Sequence, residues 1–201
     1  MIESSLSASR RSAVAIILAA AGAAPSVAKA VRATPSAMVE VGSNAHKHDW
    51  DFLIGRWSVR HRRLKEWFVG SSEWVEFAGT CVDWATPDRQ TNIDDNVVEA
   101  PSGTYRGITI RTYDVAANLW SLWWIDSRYA TSATDPSVQG RFKGGVGEFF
   151  GDGIEQGRSI KWRTRWAPIT PISVHWEQAT SSDGGATWET NWTMAFARTA
   201  G

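Results

Sequence analysis

The stretch Asp51-Phe52-Leu53-Ile54-Gly55-Arg56-Trp57-Ser58-Val59-Arg60-His61 decides how the rest of the chain is read. Gly55 admits a tight turn, Trp57 supplies a large flat side chain, and Val59 and His61 follow at a spacing of two, so a strand starts at the glycine. From there on, short runs rich in Val, Ile, Thr, Trp and Tyr alternate with Gly, Asp, Asn and Pro at intervals of about ten to fifteen residues, the mark of antiparallel strands joined by short turns. Strands are expected near 56–66, 72–84, 92–99, 104–113, 119–127, 138–143, 146–151, 158–166, 172–180 and 187–198. No later segment carries a long 3.6-residue stripe. The expectation is an all-β domain, an antiparallel up-and-down barrel of about eight to ten strands, which also removes exposed sheet edges.

Upstream of this stretch the chain changes character. Arg10 and Arg11 precede an uncharged run from Ala13 to Ala24, followed by Pro25 and the small-residue sites Ser26-Val27-Ala28 and Ala28-Lys29-Ala30. That order is the order of a secretory signal, and the run falls short of the roughly twenty residues that span a bilayer, so no transmembrane anchor is expected after processing. Ser9-Arg10-Arg11 also resembles a twin-arginine signal, although Ala13-Val14 is a weak substitute for the bulkier pair that usually follows; a general secretory signal is the alternative. Either places the mature protein in the periplasm or outside a bacterial cell. Residues 1–30 are read as the signal, 31–45 as a linker with Pro, Ser, Ala and Gly and no periodicity, and 46–201 as the barrel domain.

All 13 tryptophans lie between Trp50 and Trp192, within that domain. Basic and acidic residues balance at 21 each, so nothing in the charge recommends nucleic acid as a partner. The single Cys81 excludes an intramolecular disulfide framework and a multi-cysteine zinc site.

The opening stretch resembles that of the lipocalin or calycin superfamily. Gly55-Arg56-Trp57 matches the family's G-x-W at the first strand, and Arg198, at the end of the last strand, is the natural match for the arginine that packs across that tryptophan. The resemblance implies that Trp57 plugs one end of the barrel with a guanidinium stacked on it. From His48 to Arg198 the chain also resembles an uncharacterised family of small exported bacterial β-barrel proteins, through Tyr105-Arg106-Gly107, Trp120-Ser121-Leu122-Trp123-Trp124-Ile125-Asp126 and Trp176-Glu177-Gln178. That likeness implies a fold and no activity.

Two hairpins can be registered. With Asp114 to Asn118 as the loop, Tyr113 opposes Leu119, Ile110 opposes Leu122, Ile108 opposes Trp124 and Arg106 opposes Asp126. With Ser181 to Ala186 as the loop, Thr180 opposes Thr187, and His175, Glu177 and Ala179 share a face with Trp188, Thr190, Trp192 and Met194; a one-residue slip would exchange the faces. The second loop reads Ser181-Ser182-Asp183-Gly184-Gly185-Ala186-Thr187-Trp188, an Asp box, in which Ser181 and Asp183 bond the turn, Gly185 supplies a positive φ and Trp188 packs beneath. It is a folding device, and one copy argues against a propeller.

The remaining chemistry is sparse. His46-Lys47-His48 with Asp49 and Asp51 has metal-ligand residue types, but such clusters before a first strand usually cap a turn and no second His-rich segment completes a set, so no metal is assigned. Asp94 and Asp95 point to opposite faces of a strand; one of them joined to Arg106 and Asp126 would make a buried network, but a solvated turn with strand-end ion pairs is the plainer reading. His175 beside Glu177 is the best general-base pair on offer, and there is no G-x-S-x-G elbow for a covalent nucleophile.

The leading expectation is thus a periplasmic barrel that binds a small apolar or aromatic molecule, with Arg106, Trp124, Asp126, Trp188 and Trp192 at the ligand. An enzyme using His175, Glu177, Asp126 and Arg106 for acid/base chemistry on a small molecule is one alternative, and a glycan-binding module is another. The residues call for no cofactor; the calycin resemblance admits haem, with His175 as the axial ligand.

Overall fold

The structure is a computed structural model that describes residues 44–129, 133, 135–155 and 157–200. The signal and nearly all of the linker lie outside the described residues. A short 3-10 turn, Asn44–His48, leads into ten strands: β1 Gly55–Leu64, β2 Trp74–Ala85, β3 Thr91–Ala100, β4 Gly103–Asp114, β5 Leu119–Asp126, β6 Val138–Lys143, β7 Val146–Glu155, β8 Arg158–Ile169, β9 Ser173–Ser181 and β10 Glu189–Arg198. Each strand pairs antiparallel with its sequence neighbour, and β10 returns to β1, so the sheet closes into an up-and-down barrel of lipocalin/calycin-like form. Among the described residues no helix is long and apolar enough to cross a membrane.

One end is closed as the G-x-W reading implies. Trp57 is buried and donates its indole N–H to the Leu53 carbonyl at 2.6 Å, while the Arg198 guanidinium lies 4.1 Å from its ring centre. Arg198 also donates to the carbonyls of Phe52, Ile54 and Pro171 at 2.6, 2.8 and 2.7 Å, which ties the last strand to the turn before the first. Gly55 has φ of 126°, and a Cβ there would stand 2.7 Å from an Arg198 nitrogen, so glycine is needed on both counts. Trp57 shares this end with Trp50, which is 1% exposed, stacks on Phe149 at 5.5 Å and meets the edges of Phe142 and Trp166 at 5.0 and 5.1 Å.

The interior makes room for rings by omitting side chains opposite them. A Cβ on Gly107 would lie inside the Trp124 indole, one on Gly153 would stand 2.5 Å from Trp162, and one on Gly79 would stand 2.7 Å from the His61 imidazole. At these three places an inward glycine lets a ring lie close against the neighbouring strand, which keeps packing dense there.

Two registers differ from the sequence expectation. Tyr113 opposes Trp120, and Asp114 rather than Tyr113 opposes Leu119, because Asp114 completes β4 while its carboxylate accepts from the amides of Ala116 and Ala117 and tightens the loop to four residues. Asp126 consequently faces Gly107, and Arg106 is displaced from it. In the last hairpin, Thr180 opposes Glu189 and a bulge between Thr190 and Trp192 reverses the parity of β10. Asn191 at the bulge is buried, accepts from Gln178 at 3.0 Å and donates to Thr180 at 3.0 Å, so the irregularity is held by its own hydrogen bonds.

Candidate functional site

Above the closed end, the barrel encloses a cavity of about 370 Å³. Its walls are largely indole: Trp123 and Trp124 from β5, Trp162 and Trp166 from β8, Trp176 from β9 and Trp192 from β10, with Met194 and Phe196 beside them. Neighbouring indoles meet edge to face, Trp124 with Trp192 at 84° and Trp176 with Trp192 at 87°. The opening follows from a short ladder. β5 pairs with β6 only through Trp120, Ser121 and Leu122, so beyond Leu122 the wall is completed by Asp135, Pro136 and the Asp152–Glu155 end of β7.

One side of the cavity is polar. Arg111 on β4 is 1% exposed and bridges Asp83 at 3.3 Å, the Asn92 side-chain oxygen at 2.6 Å and Asp94. Asn92 donates to Asp83 at 2.7 Å, Asn96 donates to Asp94 at 2.5 Å, and the Thr109 amide adds a bond to Asp94 at 3.0 Å. Burial pushes the Asp83 carboxyl up to about 7, against the pull of Arg111. The Arg111 guanidinium carbon also stands 4.4 Å above the Trp50 ring and 5.5 Å from that of Trp166, so this network rests directly on the barrel plug. Asp94, Asn96, Thr109 and Arg111 reach the cavity.

His61 projects into the interior from β1. It stacks on Phe77 with ring centres 4.8 Å apart, its Nδ1 accepts from the Trp192 indole at 3.2 Å, and burial lowers its pKa to about 4, so it is a neutral imidazole with the proton on Nε2. Burial likewise pushes the Cys81 thiol far above its ordinary range, which makes it an inert core residue.

Of the residues expected at the ligand, Trp124 and Trp192 line the cavity. The others do not. Arg106 is on the outer surface in an ion pair with Asp95 at 2.5 Å, the consequence of the one-residue register difference. Asp126 points inward beyond the cavity, bonded to Arg128 at 2.7 Å; burial acts to raise its carboxyl, and the hydrogen bonds from Arg128 overcome this and hold it below its ordinary value. Trp188 lies outside the barrel, with Phe150 at 6.0 Å and the Arg163 guanidinium 5.0 Å from its ring centre.

His175 and Glu177 alternate along β9 with Val174, Trp176 and Gln178, and it is Trp176 and Gln178 that reach the cavity. Glu177 instead pairs on the outer face with Arg163 at 3.3 Å. The inward general-base pair, and an axial haem ligand at His175, are thereby corrected: the bulge that reverses β10 leaves these two residues opposite Thr193 and Ala195 rather than among the tryptophans.

The Asp box is built as its residues imply. Ser181 Oγ donates to Asp183 at 2.7 Å and accepts from the Gly185 amide at 2.8 Å, Asp183 accepts from the Thr187 amide and hydroxyl at 2.9 and 2.6 Å, and Gly185 has φ of 100°. The bonds from Thr187 hold the Asp183 carboxyl far below its usual range. In the turn before β1, His46 and His48 are bonded to Asp49 and Asp51 at 3.1 and 2.7 Å, and Asp51 takes Arg89 at 2.8 Å, so these side chains pin the turn. The solvated reading of the β3 carboxylates is also overturned: Asp94 is buried, with Arg111 in the place the sequence assigns to Arg106.

No family model matches the sequence, and no curated protein matches it either. Solved structures do resemble the fold. Rv2717c from M. tuberculosis is 12% identical with a TM-score of 0.50, the match covering 76% of this chain and 96% of that one. EF1p2_mFAP2b bound to DFHBI is 11% identical with a TM-score of 0.41, covering 77% of this chain and 99% of that one. The likeness to Rv2717c is one of fold.

Proposed function

We propose that this barrel binds a small aromatic or apolar molecule in its interior. The observation that carries the reading is the tryptophan-walled cavity of about 370 Å³, bounded by inward rings and on one side by the Arg111 network. Small-molecule sites are commonly of this kind, an apolar enclosure of roughly 300–1,000 Å³ with a few fixed polar groups. Burying about 300 Å² of apolar ligand surface against such walls contributes on the order of 7 kcal/mol before the costs of association. Asn96, Gln178 and Thr109 supply donors and acceptors that orient a polar edge of the ligand.

The same proposal has this binder exported from the cytoplasm, supported by the signal-like order of Arg10, Arg11, the uncharged run Ala13 to Ala24 and the small-residue sites after it. N-terminal sequencing of the mature protein from its native host is expected to begin at Lys29 or Val31. Native mass spectrometry of that material is expected to show a non-covalent adduct of small-molecule mass, and quenching of tryptophan emission by planar aromatic probes is expected to saturate. Absence of both an adduct and any saturable response overturns the binding function.

A further inference from the structure

We propose that the cavity is selective for a planar organic cation, such as a quaternised aromatic amine, over neutral and anionic molecules of the same shape. This rests on the reading that the cavity binds a small molecule.

Three observations converge on it. The first is the wall: indoles set nearly perpendicular to one another present electron-rich faces from several directions, the arrangement that attracts a desolvated cation. The protein already uses two of these rings in that way, with Arg111 5.5 Å from the centre of Trp166 and Arg63 4.9 Å from that of Trp192.

The second is the charge on the lining. Among the described residues Arg111 is the sole cationic side chain there, and its terminal nitrogens are taken up by Asp83, Asn92 and Asp94, two carboxylates to one guanidinium. Of the other acids, Asp152 is held by Lys161 at 2.8 Å, and Asp135, which is exposed, forms no ion pair among the described residues. Glu155 is different. It falls on the inward side of β7, in step with Phe149 and Gly153, lines both the cavity and the barrel mouth, and has no cation within ion-pair distance among the described residues. On the cavity lining itself a bound carboxylate would meet this glutamate and no free cation, whereas a bound cation gains from it.

The third is Thr164, which lines the cavity, is 9% exposed, and has no hydrogen-bond partner for its hydroxyl among the described residues. Its oxygen is a neutral acceptor between the indoles of Trp162 and Trp166 on β8.

The mouth contains the opposing charge. Lys65 there is paired with Glu73 and Arg128 with Asp126, but Arg63, lying against Trp67 and Trp192, forms no ion pair among the described residues. Replacing Arg63 should therefore favour a cation, and replacing Glu155 should disfavour one.

The test is calorimetric titration of the full chain with N-methylquinolinium, its neutral isostere 1-methylnaphthalene, and 1-naphthoate. N-methylquinolinium is expected to bind at least about tenfold more tightly than 1-methylnaphthalene, with 1-naphthoate weakest. Glu155→Gln is expected to weaken the cation several-fold and leave 1-methylnaphthalene unchanged, and Arg63→Gln to tighten the cation; if one variant fails to fold by circular dichroism, the other decides. Equal affinities, or a preference for the neutral or anionic probe, overturn the cation selectivity while leaving the binding function standing. Binding of none of the three overturns both.

Discussion

Trp50 and Arg111 meet at the floor of the barrel with 4.4 Å between guanidinium carbon and ring centre, and this contact joins the plug to the polar wall of the cavity. Trp50, which shares the closed end with Trp57, thus also supports the charge network that shapes the site. Removing the cation leaves Asp83 and Asp94 buried without a counter-charge, so Arg111→Met is expected to cost about 3–5 kcal/mol of stability. Urea unfolding measures it directly. Replacing both carboxylates in the Arg111→Met background, as Asp83→Asn and Asp94→Asn, is expected to recover a large part of that loss, because the penalty belongs to the orphaned charges.

Two buried groups, Asp83 in this network and His61 on β1, give stability two opposing pH dependences. Asp83 titrates near 7 in the folded protein against an ordinary value of 3.8, so between about pH 4 and 7 the folded chain holds a proton the unfolded chain has lost, and stability falls as pH rises. His61 titrates near 4 against 6.5, so between those values the unfolded chain holds the extra proton and stability rises with pH. The wild type is expected to show a shallow profile over this range. Asp83→Asn should reveal a rise from pH 4 to 6.5, and His61→Phe a fall from pH 4 to 7, in thermal unfolding followed as a function of pH.

Arg198 provides a separate check on the closed end. Its three bonds to the carbonyls of Phe52, Ile54 and Pro171 and its contact with Trp57 are lost together in Arg198→Ala, for which a loss of about 2–4 kcal/mol is expected. Arg198→Lys should recover less than half, since an ammonium cannot reproduce the planar fork that reaches all three. Full recovery by lysine would show that charge alone matters there.

The strand positions are legible in the sequence because they depend on local features: alternation at a spacing of two, and turn residues between the runs. Gly55, Trp57 and Arg198 are legible for a related reason, since their positions at the first and last strands mark them out. Register is harder. Whether Tyr113 faces Leu119 or Trp120 turns on one residue, Asp114, whose carboxylate serves the loop while its backbone stays in the strand. The bulge at Asn191 is likewise invisible to alternation, and it pairs Trp192 and Met194 with Gln178 and Trp176, on the face opposite to His175 and Glu177. The Arg111 network did leave a trace in Asn92, Asp94 and Asn96, three polar side chains at a spacing of two on one strand, a pattern that marks a polar inner face. Trp50, lying before the first strand, carried no such signal.

Inward glycines help set the shape of the cavity, and at Gly107 a Cβ would overlap the Trp124 indole. Gly107→Ala must push that ring toward the cavity or open β4 from β5. An overpacking cost of about 1–3 kcal/mol is expected, along with loss of saturable quenching by aromatic probes. Unaltered quenching would mean that Trp124 does not bound the bound molecule.

Trp188 and Trp192 stand four positions apart on the same chain segment and on opposite sides of the barrel wall, which makes them the sharpest test of where ligand binds. Trp192 lines the cavity, meets Trp124 and Trp176 edge to face, and donates to His61. Trp188 packs outside against Phe150 and Arg163, within the Asp box. Trp192→Leu is expected to weaken probe binding by about tenfold or more, through lost aromatic contact and a displaced His61. Trp188→Leu is expected to lower stability by about 1–2 kcal/mol and leave affinity within about twofold, since it touches only the hairpin. Titrating both variants with one probe compares them at equal chemistry of substitution. Loss of affinity in Trp188→Leu with binding intact in Trp192→Leu would place the ligand on the outer face and restore the glycan-binding alternative, with the Asp box hairpin as its platform.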